Sequence, residues 1–262
     1  MTGSISAARH WRISKVGVAR AALIFAILAL LELLCRIGVL DRVTIIPPSE
    51  MAASLWNILR TGRFNADIAF TAFNTAAAIA LAILAGFTVG AILHLVPRLR
   101  RVSEPLLSAY YAIPTFVFYP LLIVIFGAGR TALIVMGAMF GIVAMIVNTM
   151  LGLDHVPAAV DKAGRILRLD SVRQLILIRL PAAAPHFVTG IRLAVAYSVI
   201  GIVAGEFILS TSGMGKRIAF AYDNFDNRTM YGMLLLLLIG VLLTNGVLTY
   251  WENRLHRRFG QG

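Results

Sequence analysis

Six stretches of this chain are apolar for as long as a helix needs to cross a lipid bilayer, and no other feature restricts the fold as tightly. Crossing about 30 Å of hydrocarbon takes roughly 20 helical residues. The stretches run over residues 18–40, 68–96, 105–126, 131–151, 182–209 and 230–251. Lipid offers a bare backbone no hydrogen-bond partners, so each stretch predicts a helix. The chain reads as an all-α, polytopic membrane bundle, one transmembrane domain over residues 1–262. With 59% hydrophobic and 14% charged residues and a mean hydropathy of +0.84, no long soluble domain is left over.

The net charge of +12 first suggests nucleic acid. The cations instead occupy short gaps between apolar runs, which argues for a membrane topology and against nucleic-acid binding. Gaps on the N-terminal side carry fifteen cations, from Arg9, Arg12, Lys15 and Arg20 through Arg98, Arg100 and Arg101 to Arg254, Arg257 and Arg258. The opposite gaps carry eight, including Arg36, Arg60, Arg63, Arg130, Lys216 and Arg217. The bias predicts that both termini are cytoplasmic, and an even number of spans, which puts the termini on one side, agrees with this. The first span lacks a small-residue cleavage site after it and reads as an uncleaved anchor. The single cysteine, Cys35, excludes an internal disulfide and reads as a small buried residue.

Between the spans, residues 45–48 (Ile-Ile-Pro-Pro) predict a turn, and residues 49–59 a short amphipathic helix. Ser49 is its N-cap candidate; Met51, Leu55, Ile58 and Leu59 share a face, and Trp56 suits an interface. Residues 154–181 form a basic loop of a length that is usually functional. Within the spans, Gly86 and Gly90, Gly137 and Gly141, and Gly201 and Gly205 recur four apart, a spacing for close helix packing within one subunit or at a subunit interface. Pro114 and Pro120 predict kinks around Phe116, Phe118 and Tyr119, either static or lining a polar pathway.

Intramembrane charge is scarce. Glu32 and Arg36 are placed to pair on one helix face. Arg192 is expected to face the bundle interior, as a pathway or structural arginine. Glu206 lies roughly 21 Å further along the same helix, so the two do not pair. Phe116, Tyr119, Asn148, Arg192 and Glu206 are the candidate pathway residues. Ser212–Arg217 (SGMGKR) imitates a phosphate loop, but Ser210 stands where the first glycine belongs and Arg217 where Ser or Thr belongs. A glycine turn leading into the last span is expected there. Histidines 10, 94, 155, 186 and 256 lack metal-ligand spacing. No cofactor, metal or catalytic group is expected.

The loop and its flanks, HVPAAVDKAGRILRLDSVRQLILIRLPAAAPHFVTGIRLA, resemble the EAA loop of binding-protein-dependent ABC importer permeases. The closing Ile178, Leu180 and Pro181 match. Counting back places Lys162, Ala163 and Gly164 at the Glu-Ala-Ala positions and Arg168 at the family glycine, so one alanine matches while the glutamate and glycine do not. IPTFVFYPLLIVIFGAG, the IIPPSE turn and GIRLAVAYSVIGIVAGEF with SGMG resemble the nitrate, sulfonate and taurine permease subfamily.

The resemblance implies a type I importer permease in a bacterial inner membrane, with ATP hydrolysis on a partner. The implied partners are two copies of an ATP-binding subunit, a second permease subunit forming a homodimer, and an external solute-binding protein. Lys162, Ala163, Gly164, Arg165, Ile166, Leu167 and Arg168 would form the ATPase-coupling helix, with Ile166 and Leu167 as buried anchors and the arginines at its rim. The implied solute is a small anion or zwitterion such as a sulfonate, taurine or nitrate. The alternatives are a membrane-embedded enzyme or assembly factor, and a secondary transporter; each would call for intramembrane catalytic or ion-binding clusters.

Overall fold

A computed structural model describes residues 15–41, 44–157, 159, 162, 166, 167 and 170–259. Its elements, in chain order, are helices α1 (Lys15–Arg36), α2 (Pro48–Thr61), α3 (Asn65–Leu95), α4 (Pro97–Tyr110), α5 (Tyr119–Phe126) and α6 (Arg130–Asp154). After the loop come α7 (Ser171–Gln174), a π-helical turn (Leu175–Arg179), α8 (Leu180–Leu209), α9 (Met214–Asp223) and α10 (Asn227–Phe259). A 3-10 turn, Thr115–Phe118, precedes α5. Among the described residues there is no strand.

Among the described residues, five helices are long and apolar enough to cross a membrane: Gly17–Arg36, Asn65–Leu95, Arg130–Asp154, Ile176–Ile208 and Asn227–Trp251. The expected third span is different. It starts earlier, at Pro97, and is broken: α4 and the segment Thr115–Phe126 meet at 98°. Proline explains the break. Pro114 disfavours helical backbone at Ile113 and itself adopts an extended conformation. Pro120, expected to kink a helix, sits in the first turn of α5, where its missing N–H costs nothing.

The centre is a three-helix core of α3, α6 and α8. Small residues set its spacing. A Cβ added at Gly86 would lie 2.6 Å from Met145 Cβ, and one at Gly90 2.7 Å from Thr149 Cβ, so α3 and α6 touch backbone to side chain. Gly141 would meet the Ala194 carbonyl at 2.7 Å, joining α6 to α8. All three glycine pairs therefore pack within one chain. Between them lie layers of buried apolar side chains: Ala78, Leu133, Met136 and Ile202, then Ala82, Ala138, Met145 and Ala194, then Leu93, Ile146 and Met150.

The bundle has two ends. At the loop end, α3 and α6 finish and α8 begins. At the far end, α2, α9 and the start of α10 bury Ile58, Phe64, Met214, Ile218, Met230 and Met233 together. The amphipathic helix expected at residues 49–59 is α2, with Ile58 buried while Leu59 is exposed. Ser49 is not its cap; Pro47 holds that position. The Ser49 backbone N–H and hydroxyl instead donate to Glu32 at 3.0 and 2.7 Å. Glu32 also accepts from Arg36 at 2.7 Å, so the expected pair additionally fastens α1 to α2.

Candidate functional site

The far end of the core holds a knot of polar groups in an otherwise apolar bundle. Asp67, Thr71 and Asn74 lie on one face of α3, in line with Ala78, Ala82, Gly86 and Gly90, and all are buried. Opposite them on α8 is Glu206, 0% exposed. Thr71 donates to Glu206 Oε2 at 2.7 Å and accepts from the Met214 N–H at 2.8 Å. The Gly215 N–H donates to Glu206 Oε2 at 3.1 Å, and the Gly213 N–H to Asp67 Oδ1 at 3.0 Å. Arg217 closes the knot on Asp67 Oδ2 at 2.7 Å.

Local sequence explains why the carboxylates come here. Three successive N–H groups at the start of α9 have no partner within their own helix and carry the positive end of its dipole. Asp67 and Glu206, from α3 and α8, accept from the Gly213 and Gly215 N–H groups, and the Thr71 hydroxyl accepts from that of Met214. The SGMGKR segment, which looks like a phosphate cradle, thus binds the chain's own carboxylates. Gly213 is required for this approach. Its φ is +104°, and a Cβ there would collide with the Glu206 carboxyl group.

The candidate pathway residues do not converge. Tyr119 is 3% exposed and packs with Leu122, Leu133 and Ile202, whereas Phe116 is 48% exposed. Asn148 is half-buried and donates to the Ala144 carbonyl at 2.8 Å. Arg192 does not face the interior of this bundle; it is exposed. The buried face of α8 carries Ala194, Ser198, Ile202 and Glu206 at four-residue spacing, and Arg192 lies two residues, or about 200°, round from Ala194. Glu206 lies inside the chain rather than along an open path. Asp67 and Thr71 went unnoticed in the sequence, although polar residues in line with a small-residue stripe signal a buried face.

Four buried polar atoms among the described residues lack a hydrogen-bond partner: Asn74 Nδ2 and Oδ1, Ser198 Oγ and Glu206 Oε1. All belong to α3 and α8. Each such group costs on the order of 1–3 kcal/mol, so this polar layer is a costly arrangement for a core that is otherwise closely packed.

At the loop end, Lys162, Ile166 and Leu167 are described, with Ile166 81% and Leu167 66% exposed. Ala163, Gly164, Arg165 and Arg168 lie outside the described residues. A crevice of about 610 Å³ opens nearby between α4 and α6, lined by Arg100, Glu104, Tyr111, Val147 and Met150 among others.

The profile of one family, described as "Binding-protein-dependent transport system inner membrane component", matches residues 78–261. A probable ABC transporter permease protein of Haemophilus influenzae is 34% identical over 61% of this chain and 66% of its own. The taurine transport system permease protein TauC of Escherichia coli is 28% identical over 77% of this chain and 70% of its own. This chain thus spans about two thirds of the length of these relatives. A chain of the MetNI methionine ABC transporter, solved in inward-facing conformations, superposes with a TM-score of 0.62 at 20% identity, covering 78% of this chain and 96% of its own.

Proposed function

This chain belongs to the inner membrane components of binding-protein-dependent transport systems, and from that membership we propose that it is the permease subunit of an ATP-driven importer. Two such subunits, taken as identical copies, enclose the pathway. Two ATP-binding subunits dock at the loop end, which faces the cytoplasm with both termini. A solute-binding protein docks at the far end. The chain itself does no chemistry; it turns closure of the ATPases into rocking of helices.

The observation that carries this reading is the exposure of Ile166 and Leu167 on a basic loop at one end of a close-packed core. Apolar side chains held out on such a loop suit a groove in a partner better than water. Lys162, Ala163, Gly164, Arg165 and Arg168 complete that coupling segment, with the arginines facing acidic groups on the groove's rim. The half-exposed Phe116 on the broken span and exposed Arg192 are the residues best placed to meet solute or the second subunit. Tyr119, Asn148 and Glu206 support the pathway wall from within. TauC is named as a taurine permease, and two further relatives, 26% and 24% identical, are named as a nitrate import permease of Synechococcus elongatus and a putative aliphatic sulfonates permease of Bacillus subtilis, so the solute we propose is a small anion or zwitterion of that kind.

A single reporter cysteine tests the topology. With Cys35 replaced by alanine, Leu167→Cys should react with a membrane-impermeant maleimide in inside-out vesicles and not in intact cells. Bound ATPase should protect it. Labelling from the outside of intact cells would refute the assignment.

A further inference from the structure

Three of the five histidines, His94, His155 and His186, are brought to the loop end of the bundle by the fold. His94 ends α3, Asp154 and His155 end α6, and His186 lies near the start of α8. His94 Nδ1 donates to Asp154 Oδ1 at 2.9 Å. Arg100, in the first turns of α4, approaches both oxygens of Asp154, Oδ1 at 2.9 Å and Oδ2 at 2.8 Å. It also donates to Glu104 at 2.7 Å. The His155 ring lies against that of His186, with centroids 5.1 Å apart. Between Asp154 and His155, the last helical residue of α6 and its successor, the chain grips α3, α4 and α8 at one level.

The position is also locally unfavourable. An aspartate at a helix C-terminus faces the negative end of the helix dipole, where a cation is preferred. A residue kept against local preference, and compensated by cations from two other helices, marks a place where geometry is being held. The loop that we assign to the ATPase begins one residue further on. A displacement of that loop reaches α6 first at this point. From there it passes to α3 through His94 and to α4 through Arg100.

We propose that Asp154 is the positioning residue that passes movement of the coupling loop to α3 and α4. The inference rests on the importer reading given above. Without the carboxylate, the loop can still hold its ATPase while the helix ends no longer follow it.

The test uses the whole chain assembled with its ATP-binding subunit in lipid nanodiscs. The reporter is Thr211→Cys, on a Cys35→Ala background, because Thr211 is exposed beside the far-end knot. Its labelling rate by a maleimide is measured with and without ATP and vanadate. The chain with Asp154, His94 and Arg100 intact should give a several-fold change in rate. Asp154→Asn should abolish that change while ATPase capture and ATP hydrolysis persist; Asp154→Glu should restore it, and Arg101→Gln should leave it intact. Arg100→Gln, which cuts the α4 link alone, should reduce the change. A full ATP-dependent change in Asp154→Asn would overturn the proposal. So would loss of ATPase capture in both Asp154→Asn and Arg100→Gln, which would make the cluster a folding element only. Failure of the unmodified chain to capture ATPase would instead refute the importer reading.

Discussion

Thr71 on α3 donates its hydroxyl hydrogen to Glu206 on α8 across 2.7 Å, joining residues 135 positions apart in a wholly buried setting. The same hydroxyl oxygen accepts from Met214, so one threonine ties together three helices. Thr71→Val keeps the shape and removes both bonds. It should destabilise the protein by about 2–3 kcal/mol, since a buried carboxylate oxygen loses a donor and a buried N–H loses its acceptor. Thr71→Ser should retain most of the stability. Thermal unfolding in a mild detergent, with both variants side by side, checks the order.

Gly213→Ala should be among the most damaging of the conservative glycine changes. It adds a methyl group at φ +104° into the Glu206 carboxyl group. Gly38→Ala faces a similar φ of +78° with nothing within 4 Å, so it carries the backbone cost alone, about 1–2 kcal/mol. The difference in midpoint temperature between the two isolates the collision. Equal losses would show that α9 yields at its N-terminus.

Packing of α3 on α6 should be similarly intolerant. Gly86→Ala and Gly90→Ala meet side-chain carbons at 2.6 and 2.7 Å and backbone carbonyls at 2.9 and 2.8 Å. Each is expected to cost about 1–3 kcal/mol through overpacking. Gly240→Ala and Gly246→Ala, on α10 with nothing within 4 Å, should be neutral or gain up to about 1 kcal/mol from helix propensity. The amount of folded protein recovered from membranes, by size-exclusion profile, distinguishes the two pairs.

What the sequence made legible follows from the bilayer. Long apolar runs have few alternatives to helices in lipid, so the spans could be placed, and four-residue glycine spacing correctly marked close packing. The break at 98° was hidden because Pro114 in an apolar run signals a bend without its size. Arg192 was misplaced for a related reason. The helix α8 is apolar on most sides, so hydropathy does not reveal which face is buried; that face is defined by small residues and by Glu206. The far-end knot was missed because Asp67 and Thr71 meet their partners only through contacts across more than 130 residues, and its amides belong to backbone that any sequence possesses. The contact between Asp154 and His94 was likewise invisible, being a product of the ends at which α3 and α6 finish.

The central claim is that the loop carrying Ile166 and Leu167 is gripped by an ATP-binding subunit. The direct measurement is co-purification of that subunit with the full chain from membranes, comparing the native sequence with the double variant Ile166→Asp, Leu167→Asp. Capture should fall at least tenfold, about 1.4 kcal/mol or more of binding energy, while the variant still yields a monodisperse membrane protein. Undiminished capture by the double variant would contradict the account.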